Sequence, residues 1–148
     1  MTVTDYINEI DRQYRLQDAV YHNAAVKLGL SDSALCALYF LSDFENCTQQ
    51  ELCNRCFFPK QTVNSSILKL AKDGYLVLET IPGTHNQKKI VLTDAGRTLV
   101  QKKVTPLKQA EQRAYSNFSE EELSVCLSVM AKLTAALKAE TEKIEKTE

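Results

Sequence analysis

Lys60, Gln61, Thr62, Asn64 and Ser65 place a run of hydrogen-bonding side chains in one short stretch. Their chemistry is recognition, not bond-making. Amide and hydroxyl groups donate to and accept from base edges in a DNA major groove, and lysines neutralise phosphates. Between and beyond them, Val63, Ile67 and Leu70 recur at i, i+4 and i+7. That is the spacing of a core-facing helical stripe. One helix with a polar front and an apolar back therefore spans most of Phe57 to Tyr75, and Lys69 adds a cation further along it.

The surrounding elements give that helix its setting. Thr48-Gln49-Gln50-Glu51 reads as a capping box opening a short helix, about Gln49 to Arg55, in which a hydroxyl and a carboxylate satisfy free backbone N–H groups. Cys56-Phe57-Phe58 forms a turn, and Pro59 suits the first turn of the next helix. Gly74 stops that helix. Tyr75 to Ile81 then reads as a strand, Pro82 to Gln87 as a turn, and Lys88 to Leu92 as the returning strand. A capped short helix, a polar-fronted helix and a hairpin in succession make a helix-turn-helix with a wing. The wing offers His85, Lys88 and Lys89 to a neighbouring groove or to phosphates.

Upstream, residues 2–28 keep a 3–4 apolar spacing through Ile7, Ile10, Tyr14, Tyr21, Ala25 and Leu28, and Gly29 ends that helix. Ser31 caps a helix from Asp32 to Phe44 that belongs to the core. Downstream, Thr93 caps a helix from Asp94 to about Asn117, which Pro106 should kink or split. Ser119 to Glu122 is a second capping box. It opens a last helix with Leu123, Leu127, Met130, Leu133, Leu137 and Ile144 on one side, and the charged tail beyond Ile144 should fray. The expected fold is mainly α with a small β-hairpin wing. Its parts are an N-terminal helix (1–30), a winged core (31–93) and C-terminal helices (94–148). The first and last parts carry apolar stripes that a second copy of the chain would cover, forming a dimerisation region.

With 44% hydrophobic and 25% charged residues, the composition is that of an ordinary soluble protein. No apolar run suggests a membrane span or signal peptide, so the expectation is a cytoplasmic protein without membrane association. The net charge of -1 hides a strong asymmetry. Residues 60–103 hold eight Lys/Arg against three Asp/Glu, a local +5, while residues 1–59 carry -4 and residues 104–148 carry -2. Local charge governs attraction to phosphates.

Five cysteines, at 36, 47, 53, 56 and 126, are not expected to form structural disulfides in such a chain. Cys53 and Cys56 have CxxC spacing, but no second CxxC or HxxxH supplies the remaining ligands of a zinc site, so no metal is expected. A thiol switch at Cys53 and Cys56 stays open, with Arg55 between them to favour thiolate. Cys36 and Cys126 read as core. His22 and His85 are too far apart in sequence to suggest a metal or catalytic pair. With no phosphate-binding loop, nucleophile elbow or HExxH, neither an enzyme nor a cofactor is expected.

Three phrases carry a family resemblance: LGLSDSALCALYFL (Leu28 to Leu41), TQQELCNRCFFPKQTVNSSILKLAKDGYL (Thr48 to Leu76) and KKIVLTDAG (Lys88 to Gly96). In their order and spacing they resemble the MarR family of bacterial winged helix-turn-helix transcription regulators. The resemblance implies a homodimeric repressor on a pseudo-palindromic operator of double-stranded DNA. Many members release DNA on binding a small-molecule effector or on cysteine oxidation. By position, Lys60, Gln61, Thr62, Asn64 and Ser65 correspond to the base- and phosphate-facing part of the recognition helix, with Lys69 as a backbone contact. An effector would lodge between the dimerisation helices and the winged core, where Tyr14, Tyr21, Tyr39 and Phe44 are candidate linings. One departure stands out. The family commonly has Asp-x-Arg at the wing tip, where this chain has Thr84-His85-Asn86. The peroxide-sensing branch uses a cysteine in the first helix, and this chain has none there. The alternatives are a thiol-based redox or metal sensor using Cys53 and Cys56, and an interaction module that has lost DNA binding.

Overall fold

A computed structural model describes residues 1–147. The element order is α1 (Val3–Leu28), α2 (Asp32–Asp43), α3 (Gln49–Cys56), α4 (Lys60–Lys72), β1 (Leu76–Thr80), β2 (Lys88–Leu92), α5 (Asp94–Tyr115) and α6 (Glu120–Thr141). The strands pair antiparallel, Leu76 opposite Leu92 and Thr80 opposite Lys88. The architecture is mainly α with one small hairpin, as the sequence predicts. The chain divides into two compact units: Met1–Lys108, and a second that begins at Gln109.

Local chemistry sets the helix starts. Thr2, Thr48 and Ser119 each form a capping box, accepting from the N3 backbone N–H while the N3 carboxylate accepts from the cap N–H. Ser31 caps α2 through its hydroxyl. Gly29 and Gly74 take left-handed φ of 67° and 83° just past α1 and α4. In both places a side chain would strain the backbone.

The core of the first unit gathers Ala37, Leu38 and Leu41 of α2, Leu52 of α3, Val63, Ile67 and Leu70 of α4, Leu76, Ile90 and Leu92 of the hairpin, and Val100 and Val104 of α5. Each inward position of α4 predicted from spacing is buried. The hairpin is tied back to the helices at its base. Ile90 N–H donates to the Cys47 carbonyl (2.9 Å), and Thr48 bridges Lys89, so a single extended residue pair ahead of α3 lengthens the sheet.

Three sequence expectations change. Pro59 is the N-cap residue of α4 and not its first helical residue, and its φ of -52° lies in the range the proline ring imposes. Of the kink or split expected at Pro106, the split does not occur, and α5 runs unbroken from Asp94 to Tyr115. Ile144 lies beyond the end of α6, and Glu148, the last residue of the expected fraying tail, falls outside the described residues. In α1, Tyr6, Ile7, Ile10, Tyr14, Val20 and Tyr21 are exposed, with Ala25 its one buried residue. Among its described residues α6 has no buried position, although Val125, Leu127, Met130 and Leu137 are apolar.

Candidate nucleic-acid interface

The face of α4 opposite Val63, Ile67 and Leu70 is open to solvent. Lys60, Gln61, Thr62, Ser65 and Lys69 are all exposed. Gln61, Ser65 and Lys69 follow at i, i+4 and i+8, one line down the helix. Ser65 Oγ donates to the Gln61 carbonyl at 2.9 Å, leaving the hydroxyl's acceptor lone pairs turned to solvent. No acidic residue stands in the first turn of α4, so the lysine and the helix N-terminus sum to a positive end.

Asn64 departs from the expected row. It is half-buried, and its Oδ1 accepts from Gln49 Nε2 at 2.7 Å and faces the Cys53 thiol at 3.6 Å. The side chain thus braces α4 against α3, with its carbonyl oxygen already engaged. The spacing placed Asn64 beside Gln61 and Ser65. In fact it lies next to Val63 on the flank of the buried stripe, where a polar group needs a partner. Gln49, its donor, attracted notice only as a member of the capping box. A hydroxyl pair does similar work: Ser33 of α2, buried, sits 2.6 Å from Ser66 of α4.

On the wing, His85 and Lys88 are exposed. Lys89 is half-exposed and pairs with Glu79 directly across the hairpin (3.2 Å). Such an exposed pair is worth about 0–1 kcal/mol, so it aligns the lysine without committing it. The tip is shaped by Gly83 and Asn86, both left-handed, and by the Thr84 hydroxyl donating to the Ile81 carbonyl (2.7 Å). The base of the wing is fastened through Thr93. Its hydroxyl donates to the Gly74 carbonyl (2.6 Å) and accepts from Gly96 N–H (3.1 Å), while its own N–H donates to Tyr75 (3.1 Å). One residue thereby links the end of α4, the start of β1 and the start of α5.

The cysteines separate into distinct settings. Cys56 is buried in the core, and the neighbouring Cys36 thiol, followed by burial itself, pushes its thiol well above the ordinary range. Cys47 is also raised, by burial first and the Glu51 charge second. Protonated thiols are weak nucleophiles and weak ligands. Arg55, expected to favour thiolate, instead lies over the Phe44 ring at 3.8 Å. Cys126 was expected in the core and is exposed, because α6 buries nothing within one chain. Among the described residues no group of three His, Cys, Asp or Glu is placed to hold a metal ion. His22 pairs with Asp32 at 3.0 Å, joining α1 to α2.

The aromatic residues expected to line an effector site differ in burial. Tyr14 and Tyr21 are exposed on α1. Tyr39 is half-buried, edge-on to Phe40 and under the Lys108 ammonium at 4.5 Å, and Lys108 also reaches Asp43 at 2.5 Å. No single helix among the described residues is long and apolar enough to cross a membrane.

An exposed polar row on a buried helix, a short capped helix before it and a fastened hairpin after it form a winged helix-turn-helix. A family model described as MarR family matches residues 28–85, from the end of α1 to the wing tip and short of β2. Residues 28–85 are thus similar to the MarR family. The solved structures extend the likeness in fold beyond that segment. A MarR family regulator from Neisseria meningitidis superposes with a TM-score of 0.84 at 15% identity, covering 93% of this chain and 97% of that one. BpsR of Bordetella bronchiseptica, whose DNA binding is regulated by 6-hydroxynicotinic acid, gives 0.69 at 19% identity, covering 88% and 98%. Staphylococcus aureus MarR in complex with salicylate and kanamycin gives 0.69 at 18% identity, covering 93% of each. No curated protein matches the sequence. The chain therefore has the fold of MarR transcription regulators.

Proposed function

We propose that the chain is a transcription regulator that binds double-stranded DNA as a homodimer, with α4 of each subunit in a major groove. The observation that carries this reading is α4 itself. One face buries Val63, Ile67 and Leu70, and the other presents Lys60, Gln61, Thr62, Ser65 and Lys69 within a segment of net charge +5. Gln61 and Thr62 read base edges, while Lys60 and Lys69 hold phosphates. Asn64 acts from behind by fixing α4 on α3. His85 and Lys88 of the wing meet phosphate, joined by Lys89 when it leaves Glu79.

The exposed apolar residues of α1 (within 1–30) and of α5 and α6 (within 94–148) support the dimer. Left in water they are unfavourable, and a two-fold contact between identical chains covers them. Two α4 helices so related read half-sites ~34–36 Å apart. We further infer that the protein is a repressor released by a small aromatic acid. This draws on 6-hydroxynicotinic acid, named for BpsR, and on salicylate, one of the two ligands named for the S. aureus protein.

Selection of bound genomic fragments by the purified protein tests the reading, followed by titration of the selected site at several salt concentrations. Lys60→Ala should weaken binding on every sequence and reduce the salt slope by about 0.9 for the lost phosphate contact. Gln61→Ala should relax preference at one position by ~1–3 kcal/mol. A protein that enriches no sequence and gives no salt-sensitive shift is an interaction module and not a regulator of this kind.

A further inference from the structure

Among the described residues, positive φ occurs at Gly29, Gly74, Gly83, Asn46, Asn86 and Phe57. Glycine and asparagine visit the left-handed region at low cost. Phe57, at φ 53°, is the exception, and a bulky side chain there crowds its own backbone carbonyl. Its ring is also 93% exposed, more than any other large apolar side chain described. The following residue, Phe58, is the one that packs on the core and anchors the turn. As the C-cap of α3, position 57 would suit glycine better than phenylalanine. Backbone strain and an apolar ring in water both act against the free chain. Strain of this kind persists where a ligand is met.

The place of Phe57 indicates the ligand. It occupies the turn of the helix-turn-helix, just ahead of Pro59, Lys60 and Gln61 at the N-terminal end of α4. That end of a recognition helix approaches the base edges. The apolar group exposed on the floor of a major groove is the thymine C5-methyl, and phenylalanine is among the side chains that meet it. We propose that Phe57 is a specificity-determining residue whose ring packs on one thymine methyl in each operator half-site, beside the bases reached by Gln61. This rests on the DNA-binding reading above. The ring leaves water only in the complex, which offsets the cost of holding it in the left-handed turn.

The test uses the full chain with Phe57→Gly and Phe57→Asn, both suited to the left-handed turn, so both should melt at or above the wild-type temperature. Operator affinity is then measured with each thymine replaced in turn by deoxyuridine, which lacks only the methyl. One thymine per half-site should emerge at which the replacement weakens wild-type binding roughly fourfold, the equivalent of one buried methyl. At that thymine neither variant should respond. Equal operator affinity of wild type and variants overturns the proposal. So does weaker binding by the variants with no methyl-sensitive thymine, which would put the ring on the sugar-phosphate backbone. A marked loss of melting temperature in both variants also overturns it, since the ring would then support the fold. If the wild-type protein binds no DNA, the DNA-binding reading itself falls and takes this contact with it. If wild type binds and the variants match it, only the thymine contact is lost.

Discussion

Gly96→Ala sets two physical effects against each other, and the structure decides between them. Gly96 is in the first turn of α5, with no positive φ to excuse it. On helix propensity alone, alanine should stabilise by about 1 kcal/mol. Yet a Cβ built there lies 1.9 Å from the Tyr75 carbonyl oxygen, 3.0 Å from its carbon and 3.1 Å from Leu92 Cδ2. Relief requires more than an ångström of backbone movement, because the nearest atoms belong to main chain and cannot rotate aside. Overpacking of this kind costs ~1–3 kcal/mol or more. The same shift strains the Thr93 N–H to Tyr75 bond and the Thr93 hydroxyl bonds to Gly74 and Gly96, at ~0.5–1.5 kcal/mol each. The net expectation is destabilisation by ~2–5 kcal/mol, a large part of a typical total of ~5–15. In thermal unfolding followed by circular dichroism this is a drop of ~4–20 °C, at ~2–4 °C per kcal/mol for a chain of this size. Because Thr93 joins α4 to the wing, the proposed DNA binding should weaken even at temperatures where the variant stays folded. A variant as stable as wild type, or more stable, would refute the reasoning, since propensity would then have outweighed the clash.

Asn64→Ala should cost ~1–2 kcal/mol in urea unfolding, because it strands the Gln49 amide at the α3–α4 contact. In a double-mutant cycle Gln49→Ala should then add little, whereas full additivity would mean the two side chains do not interact. Thiol labelling of the native protein should modify the exposed Cys126 quickly and leave Cys56 until unfolding, since the Cys36 thiol and burial hold it protonated. Rapid labelling of Cys56 near neutral pH would remove that account and reopen a switch at Cys53 and Cys56. The Thr48 backbone N–H and hydroxyl hold the Glu51 carboxyl below its usual value. The capping box therefore contributes fully above the unfolded pKa of about 4.5, and the contribution is lost as pH falls through the lower folded value. Stability measured against pH should show this acid-side loss, and Thr48→Ala should flatten it.

The sequence alone determined the elements and their order. Helical starts were legible because capping is a local bargain among four neighbouring residues, so Thr48-x-x-Glu51 and Ser119-x-x-Glu122 formed as read. The buried stripe of α4 was legible because a 3.6-residue period fixes which side chains share a face. Tertiary structure decided what periodicity cannot express. Asn64 lies on the border between the two faces of α4, and only the arrival of Gln49 from α3 turned it from a candidate reader into a brace. Gly96 reads as a small residue in a helix until the Tyr75 carbonyl is brought against it across the strand pair. Cys126 looked like core because its neighbours on α6 are apolar, but a stripe specifies only that a face must be covered, not by what. Phe57 and Phe58 read alike as turn residues, and the turn's geometry separated them, packing Phe58 against the core and leaving Phe57 strained and in water. Local rules act through backbone distance along the chain, and these four outcomes depend on residues that meet only after the helices have packed.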